Sequence, residues 1–132
     1  MERFYPEAVD VHTLSPLALA FVGDGVYSLL VREKLLCAAN RQAGDLHHAA
    51  VRLVCAEAQA AAVERLLPVL TAEEEAAYKR GRNAHTARTG AEYHKATGLE
   101  ALFGYLYLDG QLERVRELFG YCVGENDGED AE

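Results

Sequence analysis

The apolar positions of this chain recur at helical spacing, in stretches separated by short polar breaks. The first stretch is LALAFVGDGVYSLL, from Leu17 to Leu30. Ser15 precedes it as an N-cap, and Pro16 takes the first helical position, where its missing N–H does no harm. This helix is expected to run to about Cys37. GDLHHAAVRLVCAEAQAAAVERLLP predicts a second helix, with Asp45 as N-cap and Pro68 just past its end. Val51, Val54, Ala58, Ala61 and Ala62 would form a stripe of small residues on it, suited to close packing. TAEE at 71–74 is a capping box, Thr71 with Glu74, and Glu73 to Glu75 complement the dipole of a third helix. Gly81 and Asn83 in KRGRN are read as its stop signals. A polar, basic loop, AHTARTGAEYH, follows. The fourth helix, KATGLEALFGYLYL, is apolar nearly all round and stops at Asp109 and Gly110; QLERVRELFGYCV predicts the last. No segment reads as a strand. The expectation is an all-α bundle whose first and fourth helices are too apolar to lie on a surface.

Length and composition narrow this to one domain. A chain of 132 residues, half of them apolar, is enough for a single core and too short for two. The folded part is placed at 1–123 and a disordered acidic tail at 124–132, which holds five acids and no base. No window of 18 residues is free of charge, so no membrane span is expected. The N-terminus carries Glu2, Glu7 and Asp10 without an apolar run and does not read as a signal peptide. Cys37, Cys55 and Cys122 form no CxxC pair, which points to reduced thiols in a cytoplasmic protein and away from zinc. The net charge of −8 argues against nucleic acid, but its distribution argues back: removing the tail's five acids leaves −3. Within the remainder, Lys79 to Lys95 carries five Lys or Arg against the single acid Glu92.

The candidate chemistry lies in the two most apolar helices. Asp24 stands between Gly23 and Gly25, and Glu100 stands between Gly98 and Gly104. Glycines let a backbone, a metal or a ligand come close. Two carboxylates brought together in a core repel unless a cation sits between them or one is protonated. An oxygen-only donor set points to Mg²⁺ or Mn²⁺. A structural alternative stands beside this: Asp24 could accept from Tyr27 or pair with Arg32, Glu100 could pair with Lys95 or Lys34, and the glycines could serve tight helix packing. KRGRNAHTAR likewise reads either as a phosphate-binding segment or as bases placed favourably at a helix C-terminus. His47, His48, His85 and His94 are assigned no chemistry, and Tyr93, Tyr105 and Tyr107 are read mostly as core.

LALAFVGDGVYSLLVREKLL resembles the signature helix of the ribonuclease III family, and TGLEALFGYLYLDG resembles that family's second signature. Together with DLHHAAVRLVCAEAQA and LTAEEEAAYKRGRNA, in this order, they are most similar to Mini-ribonuclease III, the bacterial branch consisting of the nuclease domain alone. The resemblance spans about residues 14–118. It implies a metal-dependent endoribonuclease with the helical fold of the ribonuclease III endonuclease domain. Asp24 and Glu100 would be its catalytic metal ligands, for Mg²⁺ or Mn²⁺. It would act as a homodimer that cuts both strands of double-stranded RNA, namely the 23S ribosomal RNA precursor, leaving 5′-phosphate and 3′-hydroxyl ends. With no separate RNA-binding domain expected, Lys79, Arg80, Arg82, Asn83 and Arg88 would contact the RNA. Full-length ribonuclease III carries further acids where this chain has Leu17, Ala20 and Thr97, so tight binding of two metals is not expected. The alternatives are a non-catalytic RNA-binding or ribosome-associated module on the same fold, and a helical interaction protein.

Overall fold

The computed structural model describes residues 3–87 and 89–124. Arg88 and the tail from residue 125 onward lie outside the described residues, and so do the expectations placed on them. The described residues form six α-helices and no strand: α1 (Pro16–Ala38), α2 (Ala43–Val54), α3 (Ala56–Leu66), α4 (Ala72–Arg82), α5 (Ala91–Leu108) and α6 (Leu112–Cys122). The all-α expectation holds. None of these helices is long and apolar enough to cross a membrane.

The helix ends follow local chemistry. Ser15 Oγ accepts from the amide of Ala18 at 3.1 Å and opens α1 as predicted. Thr71 and Glu74 form the predicted capping box, with 3.1 and 2.9 Å bonds. Asp109 caps α5, and Gly110 follows at φ +81°, a conformation that favours glycine. Helix α5 begins at Ala91, so the second half of the expected loop is its first turn.

The predicted second helix is two. The chain leaves helical geometry at Cys55 alone, with ψ 160°, and resumes at Ala56. Helix α2 packs on α1, whereas α3 packs on α5 and α6, and one straight rod could not reach both. The break divides the expected stripe: Ala62 is buried, but Val51 and Ala61 are exposed. Gln42, without a side-chain bond, caps α2, and Asp45 lies in its first turn instead. Arg65 on α3 donates to the carbonyls of Tyr121 and Cys122, tying α3 to the end of α6.

Helix α5 is the axis of the bundle. It packs against α1, α3, α4 and α6, and its residues from 96 to 106, Glu100 excepted, are buried. It crosses α1 backbone to backbone. A Cβ on Gly23 would collide with the carbonyl of Glu100, and one on Gly104 with the carbonyl of Leu19. Tyr27 fills the core beside this crossing, edge-on to Phe103 and Phe119 at 5.2 and 5.5 Å. Burial pushes the Cys122 thiol, bonded to the Tyr27 hydroxyl, up to about 12, so it stays protonated and inert. Gly81 is no stop signal: it lies buried inside α4, packed directly against Gly98 and Ala101 of α5.

Helix α1 corrects the expectation of full burial. Only one side, Leu19, Ala20, Gly23, Tyr27 and Val31, faces the core. Its other side leaves Leu17 (41%), Phe21 (81%), Leu29 (47%) and Leu36 (53%) exposed. A groove of about 610 Å³ runs alongside, lined by Val22, Gly25, Val26, Leu30, Tyr107 and Val115 among others.

Candidate functional site

Asp24 follows Gly23, the residue that presses α1 onto the backbone of Glu100. The crossing therefore sets the two acids side by side, where they line one pocket of about 330 Å³. Their carboxylates lie within hydrogen-bonding reach of each other. Asp24 is exposed rather than buried as expected, and Glu100 is half-buried. Burial and the charge of Asp24 together raise the Glu100 carboxyl to about 7, and the Gln59 side chain on the same pocket wall acts the other way.

The remaining walls come from the α2–α3 break and the start of α5. Val54 and Ala56 flank Cys55, Gln59 stands one turn into α3, and Tyr93, Ala96 and Thr97 lie on α5. Thr97 Oγ1 donates to the carbonyl of Tyr93 at 3.0 Å. Leu17 and Ala20, the other positions where longer relatives would carry acids, do not line the pocket. Gly25 has open space where a Cβ would stand, so only Gly23 and Gly104 serve the crossing of α1 and α5.

Two structural partners weighed for the acids are engaged elsewhere. The Tyr27 hydroxyl bonds Cys122, and Lys95 pairs with Glu64 at 2.9 Å. Among the described residues no three His, Cys, Asp or Glu side chains gather in one place. The donor set on offer is therefore two carboxylates facing a polar pocket. Mg²⁺ is commonly held in this way, by one or two carboxylates, retained waters and substrate phosphate oxygens, and the residues fit such an ion.

The basic residues cluster at the end of α4. Gly81 brings that end against Thr97, Gly98 and Ala101, so the cluster lies beside the α5 turn that carries Glu100. Lys79 pairs with Glu75 at 3.2 Å. Arg80 is exposed. Arg82 stacks over the Tyr78 ring at 5.7 Å and donates to Asn83 Oδ1 at 3.2 Å. A hollow of about 410 Å³ opens beyond it, lined by Arg82, Asn83, His85, Thr86, Thr89 and His94. Nothing in the chain's pattern points to His85 and His94 here, because a lone histidine in a polar loop reads as surface. Gln59 was missed for a like reason: a glutamine on an alanine-rich helix reads as solvent-facing.

Residues 17–111 match the ribonuclease III domain. The chain is 50% identical over 111 residues to Mini-ribonuclease 3 of Symbiobacterium thermophilum, covering 80% of this chain and 85% of the relative. It is 46% identical over 118 residues to Mini-ribonuclease 3 of a Thermoanaerobacter species, covering 86% and 83%. It is 39% identical over 127 residues to Mini-ribonuclease 3 of Streptococcus pneumoniae, covering 91% and 99%. A crystal structure of a Fusobacterium nucleatum protein superposes with a TM-score of 0.78 at 27% identity, covering 91% of this chain and 100% of that one.

Proposed function

Because the chain belongs to the ribonuclease III domain family, and within it to the Mini-ribonuclease 3 proteins, we propose that it is a metal-dependent endoribonuclease cutting double-stranded RNA, with the 23S ribosomal RNA precursor as substrate. The observation that carries the reading is the Asp24–Glu100 pair: two facing carboxylates, set together by a backbone crossing, with Tyr27 and Lys95, two partners weighed for them, engaged elsewhere.

Asp24 and Glu100 would hold the ion, Mg²⁺ or Mn²⁺. When bound, it supplies positive charge beside the scissile phosphate and a water acidified for in-line attack, giving 5′-phosphate and 3′-hydroxyl ends. The protein's own part is placement. Asp24, the exposed one of the two, would face the substrate, while Glu100 is half-buried. Lys79, Arg80, Arg82 and Asn83, with Arg88 on the same segment, would grip phosphates next to the pocket. A-form RNA would thereby be read by shape and 2′-hydroxyls rather than base sequence. The exposed apolar side of α1 would meet a second copy, giving a homodimer with one site for each strand. The catalytic domain would be residues 1–123, with 124–132 a tail outside it.

The test uses structured precursor RNA with and without Mg²⁺, followed by mapping of the ends. Asp24→Asn and Glu100→Gln should each lower cleavage by roughly two orders of magnitude or more while RNA binding and folding persist. The double variant should be little worse than either single one, because the two acids act as a unit. Replacing Lys79, Arg80 and Arg82 by Ala should instead weaken binding across sequences and flatten its salt dependence. Binding without metal-dependent cleavage in the wild type would favour the non-catalytic RNA-binding module.

A further inference from the structure

We propose that Gln59 is a positioning residue of the Asp24–Glu100 pocket, its side-chain amide holding the Glu100 carboxylate oriented for a divalent cation. The inference rests on reading that pair as a cation site.

Gln59 is 1% exposed, one of the few polar residues buried in this core. It stands one turn into α3, where the break at Cys55 aims the start of that helix at the pocket. Gln59 and Glu100 line the same pocket, and the Gln59 side chain favours the ionised Glu100 carboxylate against burial and the charge of Asp24. Gln59 Oε1 is buried and has no hydrogen-bond partner. A residue kept only for packing would not look like this. Leucine or methionine would fill the same volume and leave no carbonyl stripped of water without a bond in return. The feature that an apolar residue could not supply is a polar amide on the pocket wall shared with Glu100.

That amide matters because of where Glu100 sits. A half-exposed glutamate has three side-chain torsions, and the charge of Asp24 pushes its carboxylate away. A fixed donor on a neighbouring helix restrains those torsions and leaves the second carboxylate oxygen for a cation. Outer partners of this kind orient metal-binding carboxylates. Gln59 itself does not reach substrate. It is 1% exposed and its Oε1 is buried.

The experiment titrates the full-length, metal-free protein with Mn²⁺ alone, without RNA, by calorimetry or by the electron paramagnetic resonance of free Mn²⁺. Gln59→Met keeps length and volume without the amide, and Gln59→Leu is the second apolar variant. Both should bind Mn²⁺ about tenfold more weakly. The Mg²⁺ concentration giving half-maximal cleavage should rise by a similar factor. Double-stranded RNA affinity without divalent ions and melting temperature should stay at or above wild type. In a Glu100→Gln background, Gln59→Met should cause no further loss of Mn²⁺ binding. Wild-type Mn²⁺ affinity in Gln59→Met would overturn the inference, and so would unfolding of both apolar variants, which would make Gln59 a packing residue. Asp24→Asn separates the two readings. If it keeps wild-type Mn²⁺ binding, the cation site itself fails; if it loses binding and Gln59→Met does not, only the role of Gln59 fails.

Discussion

Glu74 and Glu100 are both helical glutamates at the edge of one core, and their neighbours drive them in opposite directions. Burial pushes Glu74 up, but the Arg114 guanidinium and Thr71 outweigh it and hold its carboxyl below the usual 4.5. Arg114 grips both Glu74 oxygens at 2.8 Å and donates to the carbonyl of Val69 at 2.9 Å, fastening α6 to the start of α4. For Glu100 burial and Asp24 prevail and raise the carboxyl to about 7. The stability due to Glu74 is present above the unfolded carboxylate range and is lost as pH falls through its lowered folded value. Glu100 works in reverse: without a cation, its ionisation costs stability as pH rises from 4.5 toward 7. Urea unfolding of the metal-free protein should show Glu74→Gln losing about 2–4 kcal/mol at neutral pH and much less in acid. Glu100→Gln should be more stable than wild type near pH 8 and close to it near pH 4.

The crossing of α1 and α5 makes neighbouring glycines unequal. Gly23→Ala forces a methyl into the carbonyl of Glu100, and should cost more than about 3 kcal/mol or abolish folding. Gly25→Ala meets open space and should raise helix stability by up to about 1 kcal/mol. Melting curves of the two variants check this. Helix ends held by local bonds, Ser15 and the Thr71–Glu74 box, were legible in the sequence because their partners lie within four residues. The break at Cys55 was not. No Gly or Pro marks it, alanine on both sides favours helix, and the cause is the separate docking of α2 and α3. The site divides in the same way. Asp24 and Glu100 stand out as lone charges within the apolar stretches 17–30 and 96–108, whereas Gln59 gains its meaning only when α3 turns inward.

At the scale of the whole molecule, what the fold leaves uncovered differs from what the pattern suggested. The most buried helix, α5, is enclosed by its own chain, so the exposed apolar surface lies on α1. Phe21, 81% exposed beside an apolar groove, is the residue a second copy would cover. Sedimentation should find a dimer at micromolar concentration, and Phe21→Asp should shift it toward monomer with melting of the protomer little changed. A fully active wild-type monomer would exclude the proposed assembly. The contact of Gly23 and Gly104 with the facing carbonyls has one more consequence. The spacing of Asp24 and Glu100 is written into the main chain, while Val54 and Ala56, at the α2–α3 break in the pocket wall, lie outside that crossing. Exchanging those two side chains would reshape what the pocket admits and leave the carboxylate spacing as it is.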